Sequence, residues 1–125
     1  MKSEQEILAL CDRVRQTAFE LHAYLRYGHL EKVYENGLAH RLRKVGMTVE
    51  QQCPLQVRDE DGTVLGDYCA DLFVESDLII ELKACKALTN DQIAQVLGYL
   101  RASGKRHALL INFGAAKLEI RKLIL

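Results

Sequence analysis

The chain has 125 residues, 49% hydrophobic and 27% charged, which suffices for one compact core over 1–125 and leaves no room for a second domain. Its 17 basic side chains equal its 17 acidic ones, which excludes a global field drawing it to nucleic acid, a membrane or an acidic partner. The opening MKSEQEIL lacks an apolar signal core, no apolar run reaches membrane-spanning length, and Cys11, Cys53, Cys69 and Cys85 form neither a CxxC pair nor a zinc spacing, so a cytoplasmic chain with reduced thiols is expected.

Ile7, Leu10, Cys11, Val14, Ala18, Leu21 and Leu25 recur at steps of three and four and predict an amphipathic helix over 4–27, stopped at Gly28. A second helical pattern runs from Leu30 through Val33, Tyr34, Leu38 and Leu42 to Gly46, with Gly37 inside it as a point of close packing. From Met47 the texture turns β-branched and alternating. It predicts three antiparallel strands at about 48–57, 63–74 and 78–84, with turns in RDEDG and ESD. Asp59, Glu60 and Asp61 lack the spacing of a calcium loop and read as hairpin turn. Thr89 or Asn90 caps a helix through Ser103, with Ile93, Val96, Leu97 and Leu100 as its core stripe and Gly104 as its stop. HALLINF (107–113) suits a buried strand, and KLEIRKLI (117–124) alternates like an edge strand. The order ααβββαββ predicts an α/β or α+β domain, a mixed sheet flanked by helices.

Within the second and third strands, Asp71, Glu81 and Lys83 stand where bulky hydrophobes are expected. Glu81 and Lys83 are two apart and share a strand face, and a hairpin turned at Ser76 and Asp77 brings Asp71 opposite Glu81. Two adjacent carboxylates repel and need a cation, a proton or water between them, and a hard divalent ion answers that need. A salt-bridged stripe on a wet sheet face is the competing reading.

Asp71, then Glu81-Leu82-Lys83 across the hairpin, then Gln95 and Tyr99 on the following helix, resemble the PD-(D/E)XK nuclease fold in its RecB-like form, with its Q-x-x-x-Y element. GHLEKVY (28–34) is similar to G-x-x-E-x-x-Y, the signature of the small bacterial GxxExxY proteins grouped in that superfamily. Residue 70 is Ala where the family has Pro, at a position that supplies no ligand. The resemblance implies a restriction-endonuclease-like core and a nuclease dependent on Mg²⁺ or Mn²⁺. The ion would be held by Asp71, Glu81, the Leu82 carbonyl and Glu31, with Lys83 as catalytic lysine and Gln95 and Tyr99, beside Gln92, facing the site. The implied substrate is nucleic acid, DNA before RNA, and the alternative is a catalytically silent binding or scaffold domain on the same fold. A small neutral chain is further expected to work as a homodimer or with a recruiting protein partner.

Overall fold

The computed structural model describes residues 2–125. Ser3 opens α1 (Glu4–Leu25) with a capping box: its hydroxyl accepts the Glu6 N–H, and the Glu6 carboxylate accepts the Ser3 N–H. The predicted apolar stripe is buried from Ile7 to Leu21. The helix ends at Leu25 rather than Tyr27, because Arg26 already takes φ +61 and its N–H closes on the His22 carbonyl. Gly28, at φ +110, completes the reversal into α2 (Glu31–Lys44). Inside α2, a Cβ on Gly37 would lie 2.9 Å from Leu21 Cδ1, so the missing side chain is what lets the two helices approach.

The strands are β1 (Val49–Arg58), β2 (Val64–Val74) and β3 (Leu78–Lys83), followed by α3 (Asn90–Ser103), β4 (His107–Asn112) and β5 (Glu119–Ile124). They form one sheet in chain order, antiparallel except that β4 runs parallel to β3. A parallel pair needs a long crossover, and α3 supplies it. Of the two expected caps for α3, Thr89 is the one used, in a capping box with Gln92, and Gly104 stops the helix in the left-handed conformation. β5 begins at Glu119, two residues later than its alternation suggests.

Both faces of the sheet are covered, so the central strands read as near-continuous apolar runs. Leu72, Val74, Leu78, Ile80, Leu82, Leu109 and Ile111 pack with α1 and α2, whereas Ile79, Ala108 and Leu110 pack with Val96 and Leu100 of α3. One irregularity creates the site. The β2–β3 ladder covers only Leu72–Val74 against Leu78–Ile80. Beyond it β2 stays with β1 as a hairpin as far as Val64 and Arg58, while β3 stays with β4 as far as Lys83 and Asn112. The sheet therefore forks between β2 and β3, and Asp71 and Glu81 stand at the fork.

Candidate active site at the fork of the sheet

At the fork, the two acids replace ladder hydrogen bonds with side-chain ones. The Asp71 N–H donates to Glu81 Oε1 at 3.3 Å, and the Leu82 N–H donates to Asp71 Oδ2 at 2.8 Å. The expected pairing of Asp71 with Glu81 is thus present, and it is the place where strand pairing stops. Each carboxylate keeps one oxygen clear of these bonds. Glu81 is buried, and burial first, then the negative charge of Asp71, push its pKa up to about 8. Lys83, at the end of the same strand face, opposes that shift from nearby, and among the described residues it forms no close ion pair.

Glu31 is the first residue of α2. Partial desolvation and then the charge of Asp71 raise its pKa, while Lys83 lowers it, so it belongs to the same electrostatic neighbourhood. The turn that carries it is fastened by Tyr34, whose ring is buried and stacked on Phe113 with centroids 4.7 Å apart. The Tyr34 hydroxyl donates to the Arg26 carbonyl and accepts the His29 N–H. In the G-x-x-E-x-x-Y stretch, Gly28 and Tyr34 shape the turn and Glu31 is the residue so presented.

On the other side of the fork, Tyr99 of α3 stacks on Tyr68 of β2 with centroids 3.7 Å apart, and the Tyr68 hydroxyl donates to the Tyr99 carbonyl at 2.7 Å. Burial, with the Glu81 charge after it, raises the Tyr99 pKa, and a hydrogen bond with Gln95 works against that shift. Tyr99 thus reaches the neighbourhood of the acids, and Gln95 is hydrogen-bonded to it. Gln92 does not reach them: its carbonyl oxygen accepts the Thr89 N–H in the helix cap, and its amide lies 3.9 Å from Cys85 Sγ.

Three features lie outside the sequence reading. Tyr68 gives no signal, since a lone tyrosine on a strand is ordinary. Glu35, one helical turn after Glu31, is buried and accepts from Lys32 at 2.9 Å, Gln51 at 2.8 Å and Gln52 at 2.7 Å. Burial would raise its pKa, but these hydrogen bonds outweigh burial and hold it below the ordinary value. Asn112, fully buried, clamps the chain just past Lys83. Its Oδ1 accepts the Cys85 and Gly114 N–H groups, and its Nδ2 donates to the Cys85 carbonyl and to Glu119.

Among the described residues, no group of three or more His, Cys, Asp or Glu side chains converges as an all-protein cage. What converges among the described residues is a carboxylate pair in which Glu81 Oε2 carries no hydrogen bond and Asp71 Oδ1 accepts only a 3.3 Å contact from Gln52, with a buried member that resists ionisation, and this fits a small hard cation. Mg²⁺ takes one or two carboxylates and fills its shell with water and phosphate oxygens.

A mixed sheet opened at a hairpin, with an Asp on one arm, Glu-x-Lys on the other and helices on both faces, is a restriction-endonuclease-like core. The chain belongs to the PD-(D/E)XK nuclease superfamily, whose family model matches residues 9–123. No curated protein and no solved structure matches it. No helix among the described residues is long and apolar enough to cross a membrane.

Proposed function

We propose that the protein is a Mg²⁺- or Mn²⁺-dependent phosphodiesterase acting on nucleic acid, DNA before RNA, in the cytoplasm. The observation that carries this reading is the fork, where Asp71 and Glu81 lie side by side and Lys83 follows on the Glu81 face. Asp71 and Glu81 are the residues to hold the ion, with the Leu82 carbonyl and Glu31 completing its surroundings. Bound there, a divalent ion would supply Lewis acidity and positive charge toward a phosphodiester. The chain's own residues do the rest. Lys83 is the cation left to contact the scissile phosphate or orient the attacking water, because an ammonium is a point-charge donor and no metal ligand. Gln95 and Tyr99 line the α3 side and supply donors to the substrate backbone. The Tyr99 phenol stays protonated at neutral pH, since its surroundings push its pKa further up.

The fork, with one such site, cuts one strand at a time. A balanced charge of 17 against 17 gives a single copy little phosphate affinity. We therefore also place the protein in a homodimer or beside a recruiting protein.

The test is a cleavage assay on plasmid and single-stranded DNA with Mg²⁺ or Mn²⁺, beside calorimetry of the same ions. Wild type should bind the ion and nick DNA, Asp71→Asn should lose the binding, and Lys83→Ala should keep most of it while losing at least about a hundredfold in rate. Ion binding without cleavage of any DNA or RNA would favour the catalytically silent scaffold, and equal binding by Asp71→Asn would sink the metal assignment.

A further inference from the structure

Gln52 sits in the middle of β1, yet its φ is +52, a left-handed conformation that is costly for a residue with a Cβ and an unbranched side chain. The β1–β2 register explains where the irregularity falls. Gln51 pairs with Leu72 and Cys53 with Ala70, so the pair between them, Gln52 and Asp71, is bracketed by regular pairing but drops out of it. A strained residue opposite the acid at the fork is a reason to ask what its side chain does.

The amide of Gln52 stands between two carboxylates. Its Nε2 donates to Glu35 Oε1 at 2.7 Å and to Asp71 Oδ1 at 3.3 Å. A carboxamide nitrogen carries two N–H groups and its oxygen carries none, so both contacts are satisfied in one orientation only. Flipping the amide would face its oxygen to two acids. Glu35 is itself immobile, being buried and held by Lys32 and Gln51. Docking of α2 onto β1 does not require Gln52, because Gln51 already donates to Glu35 and to Asn36, and Arg43 donates to Gln51 and to the Val49 carbonyl. What Gln52 alone adds is the bond to Glu35 Oε1 and, from the same nitrogen, the contact to Asp71. With Leu82 N–H on Oδ2 and Gln52 on Oδ1, the Asp71 carboxylate is held at both oxygens.

We propose that Gln52, locked in orientation by Glu35, is the positioning residue of the site, fixing the plane of the Asp71 carboxylate and thereby its affinity for the divalent ion. The metal-affinity part rests on the reading of Asp71 as a ligand. The positioning part does not. Outer-shell partners of metal-binding carboxylates typically change affinity by about 10- to 100-fold when removed.

The test uses the full chain, with Mn²⁺ titrated by calorimetry, thermal melting, and crystal structures of the variants. Gln52→Asn keeps an amide and tolerates the left-handed backbone, but is one methylene too short to span Glu35 and Asp71. It should bind Mn²⁺ about tenfold more weakly, a loss larger than any fall in melting temperature explains, with Asp71 rotated in the crystal. Glu35→Gln, which frees the amide of residue 52 to flip, should weaken binding in the same direction. Wild-type affinity in both variants, or an Asp71 side chain that keeps its orientation in both, overturns the proposal. Loss of affinity only in proportion to loss of melting temperature also overturns it, since a plain structural stitch would behave so. If wild type itself binds no Mn²⁺, the ligand reading of Asp71 fails, and the Asp71 orientation in Gln52→Asn still decides the positioning: rotated supports it, unmoved rejects it.

Discussion

Glu81 concentrates the chemistry of the site in one side chain. Its pKa, near 8, lies above the ordinary carboxylate value of 4.5 because burial and Asp71 both disfavour its charge. A raised carboxylate binds its proton more tightly in the folded chain than in the unfolded one. Its stabilising contribution is therefore complete below about pH 4.5 and is lost as pH rises through about 8. Without divalent ions the folding stability should fall between pH 5 and 8 on this account, by on the order of a few kcal/mol, and the melting temperature with it. Glu81→Gln should flatten that slope, and Mg²⁺ should restore the wild-type protein at pH 8, where the ion replaces the proton. A differential scanning series over pH checks all three, and a slope unaltered in Glu81→Gln would show that the group is not the source.

Among the elements, the end of β3 is the one on which the proposed chemistry depends most, because Lys83 is its last residue. Regular pairing with β4 ends at Lys83 and Asn112, and the Phe113 N–H donates to the Lys83 carbonyl at 2.8 Å. Past it, Asn112 makes four hydrogen bonds with Cys85, Gly114 and Glu119. The clamp closes so tightly that a Cβ on Gly114 would fall on backbone atoms of Ala84 and Cys85. Gly114→Ala must therefore move main chain rather than a flexible side chain. It should cost about 3 kcal/mol, or roughly 10 °C in melting temperature. Cleavage should fall by more than the unfolded fraction explains, because the displaced segment leads directly to Lys83. Wild-type melting in this variant would mean that the two turns can separate freely.

For the molecule as a whole, the expectation is association. The exposed edges of the sheet are β1 and β5, and the apolar side chains left in solvent include Phe19, Tyr24, Tyr27, Leu30 and Val33 along α1, the turn and the start of α2. Single exposed apolar residues are ordinary, but several near Glu31 make that side the place to look for a second copy or a recruiting protein. Light scattering at micromolar concentration should give twice the 14.2 kDa of one chain. A mass of one chain at every concentration would leave only recruitment by another protein.

The sequence by itself determined the order of elements, because hydrophobic period, capping residues and glycine stops are local properties. Thr89 and Gly104 bound α3 as such rules require. It also determined the Asp71–Glu81 juxtaposition, since a hairpin with its turn at 75–77 fixes which residues oppose each other. Where α1 stops was misjudged by two residues, because Arg26, and not only Gly28, takes a positive φ that its type does not advertise. The tertiary structure alone decided the rest. The fork between β2 and β3 depends on which neighbour each strand keeps, and the roles of Glu35, Gln52 and Asn112 depend on bonds to residues 16, 17 or 27 positions away. A glutamine on a strand and an acid on a helix carry no local mark of such partners. Only chain folding brings Glu35, Gln52 and Asp71 within hydrogen-bonding distance, and only there do hydrogen bonds hold the buried Glu35 carboxylate below its ordinary pKa.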